Sequence, residues 1–77
     1  MNKEKLYQIV KDDMIRRYGE GGDECLGEPD EIIDFMDMAM NRVDHQNKFK
    51  SFTEWLIWLG LTDEEIMWVY VEINKVQ

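Results

Sequence analysis

The sequence predicts an all-α fold, a small single-domain bundle of about four helices. The length of 77 residues is enough for one helical domain, residues 1–77, and too short for two. Apolar side chains recur at helical spacing along most of the chain. Glycine, proline and capping residues divide these stretches into four segments. Apolar residues make up 44% of the chain, so one compact core can form.

The first predicted helix covers residues 3–18 and ends before Gly19, a residue type common just after a helix. Its charged side chains, including Asp13, are expected on the solvent side. Residues 19–28 hold four of the five glycines and four acids, which predicts a solvated loop. Leu26 is the one apolar anchor expected within that loop.

The second predicted helix runs from Pro29 to Asp44 and is the segment around which the functional hypothesis is built. Proline is well tolerated in the first turn of a helix, and the acids near Pro29 suit the positive end of the helix dipole. Apolar residues occupy one side of this helix, and acids occupy the other side at spacings of three and four. The predicted acidic stripe comprises Asp30, Asp34, Asp37 and Asp44.

The remaining segments carry strong helix start signals. Residues 44–51 are polar and lack periodicity, so we expect a loop in which His45 is solvated. Two capping boxes then predict two short helices that meet at Gly60. Residues 66–76 are rich in aromatic and β-branched side chains, so a terminal strand is the alternative to the fourth helix. The capping residues are Ser51 with Glu54 and Thr62 with Glu65.

The charge distribution indicates which class of molecule the protein can bind. The net charge is −8, which argues against direct binding of nucleic acid and favours a basic partner. The stretch 18–41 contains eight acids and no base. No apolar run is long enough to cross a membrane. A single cysteine, Cys25, and the absence of a signal-peptide pattern predict a cytoplasmic protein.

No motif of a known reaction, nucleotide site or calcium loop is present, so we expect neither an enzyme nor a cofactor nor a bound metal. Cys25 and His45 are the only cysteine and histidine and lie on separate predicted loops. The turn at Gly60 has the shape of a helix-turn-helix, but its second helix begins with three acids and would repel DNA. An αα-hairpin is the simpler interpretation.

The acidic stripe therefore predicts an electrostatic function. Carboxylates in a row can occupy the Lys and Arg cleft of a basic nucleic-acid-binding protein, of the nuclease or CRISPR effector class, by the attraction that normally holds phosphates. In its size, acidity and lack of a catalytic motif the chain resembles the small acidic antirestriction and anti-CRISPR proteins of phages and mobile elements. The partner-binding residues predicted on this hypothesis are Asp30, Asp34, Asp37 and Asp44, extended by Glu24 and Glu28.

An apolar interface is the alternative hypothesis. Methionines and tryptophans are more numerous than the core-facing positions require, so some of them could form an exposed patch. The protein would then be an interaction or assembly module, with a homodimer as one form, and its acids would serve solubility. The residues predicted for this interface are Phe35, Met38, Trp58 and Trp68.

Overall fold

The computed structural model describes residues 1–76 and confirms the all-α fold. The described chain measures 30 × 25 × 23 Å. Residues 66–76 belong to a helix, and no strand occurs within residues 1–76, so the alternative of a terminal strand is wrong. None of the described helices has the length and apolar character needed to cross a membrane. The helices are α1 (Lys3–Tyr18), a 3₁₀ turn (Pro29–Glu31), α2 (Ile32–Ala39), α3 (Val43–Lys48), α4 (Phe52–Trp58) and α5 (Asp63–Val76).

Helix α1 has the predicted bounds because both of its ends are capped. The Lys5 backbone N–H donates to Asn2 Oδ1 at 2.8 Å at the first turn. At the other end Gly19 has φ of 82°, and its N–H donates to the Ile15 carbonyl at 2.8 Å. A non-glycine residue would be strained in this left-handed conformation, so the helix ends here.

The core lies where α2 packs between α1 and α5. Leu6 and Val10 of α1 and Ile32 and Met36 of α2 are fully buried. Leu26 is buried as well, so the prediction of one apolar anchor in the acidic loop is confirmed. This buried side chain ties the 19–28 loop to the core.

The second predicted helix is wrong in its extent, because α2 ends at Ala39 and the chain turns before α3. Polar side chains donate hydrogen bonds to backbone carbonyl groups at this break. Asn41 Nδ2 donates to the Asp37 carbonyl at 3.1 Å, and Gln46 Nε2 donates to the Met40 carbonyl at 2.9 Å. Since polar side chains satisfy these carbonyls, the interruption leaves them with partners.

Helix α3 occupies part of the segment that the sequence predicted to be a solvated loop. His45 and Phe49 both point inward and are buried. The His45 ring lies 4.2 Å from the Trp55 ring and 5.0 Å from the Phe49 ring, between centroids. The prediction that His45 is solvated is therefore wrong. The turn after Ala39 allows these two side chains to reach the aromatic core around Trp55.

Helices α4 and α5 form the predicted αα-hairpin, but of the two predicted capping boxes only the second is complete. Ser51 caps α4, since the Glu54 N–H donates to Ser51 Oγ at 3.1 Å, but Glu54 Oε2 accepts the Lys50 N–H at 3.3 Å and so does not return a bond to Ser51. In the second box, Glu65 N–H donates to Thr62 Oγ1 at 3.2 Å and Thr62 N–H donates to Glu65 Oε1 at 2.9 Å. A hydrogen bond between the Thr53 and Tyr70 hydroxyls places the start of α4 beside the middle of α5.

Candidate functional site

An acidic surface lies on the 3₁₀ turn and the first turn of α2. We define it by Glu28, Asp30, Glu31 and Asp34, all of which are exposed. Among residues 1–76, neither Asp30 nor Asp34 has a basic partner in an ion pair. These two residues are four positions apart, which corresponds to a rise of roughly 6–8 Å along the axis. The surface therefore presents adjacent carboxylates that no base neutralises.

Local structure accounts for part of this charge. Glu31 Oε1 accepts the Glu28 backbone N–H at 3.2 Å and so helps to cap the 3₁₀ turn. Carboxylates at the start of a helix are also favoured by the helix dipole. Asp34 lies within the first turn of α2, where the same dipole acts. The acids thus stabilise the local fold while leaving the surface strongly negative.

Asp37 follows the acidic surface along α2 but is half-buried. It borders a shallow groove of about 270 Å³ together with Tyr70 and Asn74 of α5. Asp37 therefore lies near the junction with α5, and it is less exposed than Asp30 and Asp34.

The structure separates Asp44 from the predicted stripe, so the expectation of four aspartates along one helix is wrong. Asp44 lies on α3, beyond the turn that ends α2. Its Oδ1 accepts a hydrogen bond from Arg42 Nε at 3.3 Å. This hydrogen bond, with smaller contributions from the Arg42 charge and backbone N–H groups, lowers the pKa of Asp44. Arg42 thus offsets the one negative charge that the prediction placed at the far end of the stripe.

Glu24 is exposed in the 19–28 loop, and its carboxylate lies beside another residue of that loop, Gly21. A Cβ built on Gly21 would lie 3.3 Å from Glu24 Oε1, so the carboxylate rests beside that glycine. Nearby Asp23 is approached by Lys11 Nζ at 3.9 Å. The loop therefore extends the acidic surface less than its composition suggested.

The residues predicted for an apolar interface lie on three helices and differ in their exposure. Phe35 and Trp68 are half-buried and pack against the core. Met38 is 65% exposed on α2, and Trp58 is 49% exposed on α4. The Trp58 ring is held by other contacts, because Lys48 Nζ lies 4.9 Å from its centroid and its Nε1 donates to Asp13 at 2.9 Å.

A different apolar surface is formed by the α4–α5 hairpin. We define the hairpin face by Ile57, Met67, Tyr70 and Val71. Ile57 lies one turn beyond Thr53, and Met67 lies one turn before Tyr70, so the Thr53 and Tyr70 contact places them on the same side of the hairpin. Ile57, Met67 and Val71 are 62%, 69% and 55% exposed. The sequence analysis did not assign this surface, although Met67 and Val71 follow helical spacing.

The sequence analysis also missed a buried ion pair. Asp13 was predicted on the solvent side of α1, but it is fully buried and its Oδ2 lies 2.8 Å from Arg17 Nε. Trp58 supplies a further hydrogen bond to Asp13. Asp13 lies four residues before Arg17, a spacing that could have revealed the pair. This cluster joins α1 to α4 and has a structural role.

Cys25 and His45 line the same cavity, of about 260 Å³, although the sequence placed them on separate loops. Within residues 1–76 no hydrogen bond joins the two side chains. Burial, and then the positive charge of Arg17, lower the pKa of His45, so its neutral form is favoured. In the described part of the chain no group of three or more His, Cys, Asp or Glu side chains could hold a metal ion.

Comparison of the chain with protein-family models, curated protein sequences and solved structures found no match.

Proposed function

We propose that the protein is a binding protein that inhibits a basic nucleic-acid-binding partner by presenting a DNA-like carboxylate surface. The observation that carries the proposal is the exposed acidic surface around Asp30 and Asp34, in a stretch of chain, 18–41, that contains no base. The partner is of the nuclease or CRISPR effector class. Its Lys and Arg cleft would meet carboxylates in place of phosphates.

The spacing of the charges limits how closely the surface can imitate a duplex. Duplex DNA carries one phosphate for roughly every 3.4 Å of axis on each strand. Asp30 lies in the 3₁₀ turn and Asp34 in α2, so they are roughly 6–8 Å apart along the axis and supply fewer charges per unit length. Glu28 and Glu31 add charge beside them. The surface is thus suited to occupying part of a cleft, where a few strong contacts are enough to block entry.

The proposal predicts that reversing Asp34 to lysine will weaken partner binding at least tenfold with the fold unchanged. The tagged protein would be used to capture partners from a cell extract, and the proteins released by a salt gradient would be identified. The expected result is a nucleic-acid-binding protein that is released at moderate salt and displaced by duplex DNA or RNA, because screening shortens the range of these forces. A gel-shift assay would then measure how strongly each variant blocks nucleic-acid binding by that protein.

Asp12→Lys is the matched control, because Asp12 is also an exposed helical aspartate and the change in charge is the same. Full inhibition by Asp34→Lys, or equal losses in the two variants, would contradict a specific acidic site. Capture of a partner that stays bound through high salt and is not displaced by nucleic acid would also contradict the proposal.

A second candidate function is a protein-interaction module that uses an apolar surface. The exposed hairpin face is the observation that favours it, since several large apolar side chains of α4 and α5 are exposed there. On this interpretation the acids maintain solubility, and a homodimer is one form that the assembly could take.

A further inference from the structure

The hairpin face combines apolar side chains with an acidic margin. Asp63 and Glu64 are exposed at the start of α5, one turn before Met67. Neither has a basic partner in an ion pair within residues 1–76. Lys75 is the one base within α5, and its Nζ is 2.7 Å from Glu72 Oε2. The margin near Met67 is therefore negative and unpaired.

The shape of the face suits a helix. Ile57 comes from α4, whereas Met67, Tyr70 and Val71 come from α5, so the apolar atoms extend across the junction of two antiparallel helices. Such a junction accepts the apolar stripe of a third helix, whose side chains at spacings of three and four residues fit between the two. Met67 and Val71 are themselves four residues apart on α5 and lie one above the other.

We propose that the hairpin face binds an amphipathic helix of a partner protein, with its apolar stripe on Met67 and Val71 and basic side chains beside Asp63 and Glu64. Charge complementarity selects this occupant. A second copy of the chain would bring the same acids and a second net charge of −8 to the interface, whereas a basic helix neutralises them. The hairpin face is separate from the acidic surface, so this proposal and the inhibitor proposal can fail independently.

The test uses the full chain and a synthetic peptide of about 18 residues, roughly five helical turns, with a leucine stripe flanked by lysines. Isothermal titration calorimetry would compare the unaltered protein with the double variant Met67→Gln and Val71→Gln. We expect the double variant to bind the peptide at least tenfold more weakly, because the apolar contact is lost while the protein's charge is unchanged.

The matched control is the double variant Met38→Gln and Val43→Gln. Met38 and Val43 are also exposed apolar residues of helices, but they lie on α2 and α3 and outside the hairpin face. The control should bind as tightly as the unaltered protein. Equal weakening in both double variants would overturn the proposal, because it would show that the peptide binds the acidic protein without selecting a face.

Two further measurements test the charge and the choice of occupant. A peptide with the same leucine stripe and glutamate flanks should bind at least tenfold more weakly than the lysine peptide, and equal binding would overturn the charge argument. Sedimentation of the protein alone should show a monomer. A dimer that dissociates in the Met67→Gln and Val71→Gln variant would assign the face to a second copy and overturn the proposal.

Discussion

The two helix connections at Ala39 and at Gly60 differ in what produces them. The connection between α4 and α5 has a glycine with φ of 84° and a complete capping box formed by Thr62 and Glu65. The connection between α2 and α3 has neither feature, and the sequence predicted one continuous helix across it. The break between α2 and α3 instead accompanies the burial of His45 and Phe49. Local chemistry thus produces one turn, and distant packing produces the other.

Among the variants that test this difference between the two connections, loss of the Phe49 side chain should have the largest effect on stability. Phe49 is buried, and its ring centroid lies 6.3 Å from that of Trp55. Phe49→Ala should lower the free energy of unfolding by about 3–5 kcal/mol, since it leaves a cavity in the aromatic core. Urea denaturation would measure this loss, and hydrogen exchange would show whether the amides of α3 lose protection first.

Val43→Ala is the control for Phe49→Ala, because Val43 is an exposed apolar residue of α3, the helix that Phe49 directly follows. Its effect should stay within about 0.5 kcal/mol. Losses of similar size in the two variants would show that packing does not hold α3 in place.

A smaller effect is expected at the capped connection. Thr62→Ala removes the hydroxyl that accepts the Glu65 N–H and should cost about 1 kcal/mol. Thr62→Ser keeps that oxygen and should retain most of the stability. Denaturant titration of both variants would test this, and equal losses would mean that the hydroxyl is not what stabilises the start of α5.

The smallest effect should be the pH dependence contributed by His45. Its pKa in the folded protein lies below the ordinary value of 6.5 because burial disfavours the charged ring. The unfolded chain therefore binds a proton more readily, so this contribution is fully present above about pH 6.5 and decreases as the pH falls toward the folded-state pKa. Denaturant titrations from pH 7.5 down to 5 would measure it. His45→Phe should flatten the curve over this range, and an unchanged slope would contradict the assignment to His45.

The acidic surface shows the same division between local and tertiary causes. Asp30 and Asp34 were predictable as exposed neighbours, because they lie four residues apart at a helix start that Pro29 marks. The separation of Asp44 from them was not predictable, because its position depends on a turn that the local sequence does not specify. Arg42 lies in that turn, and its hydrogen bond to Asp44 depends on α2 ending before Arg42.

The sequence by itself determined the helical class, the bounds of α1, the hairpin with its Ser51 and Thr62 caps, and the acidic character of the middle of the chain. Those features depend on contacts within a few residues or on composition. Only the tertiary structure decided where α2 ends, that His45 and Asp13 are buried, and that Ile57, Met67 and Val71 share an exposed face. These outcomes depend on which side chains from distant segments meet Trp55, Arg17 and Tyr70. Helical periodicity gives the face of each residue on its own helix but does not give its neighbour on another.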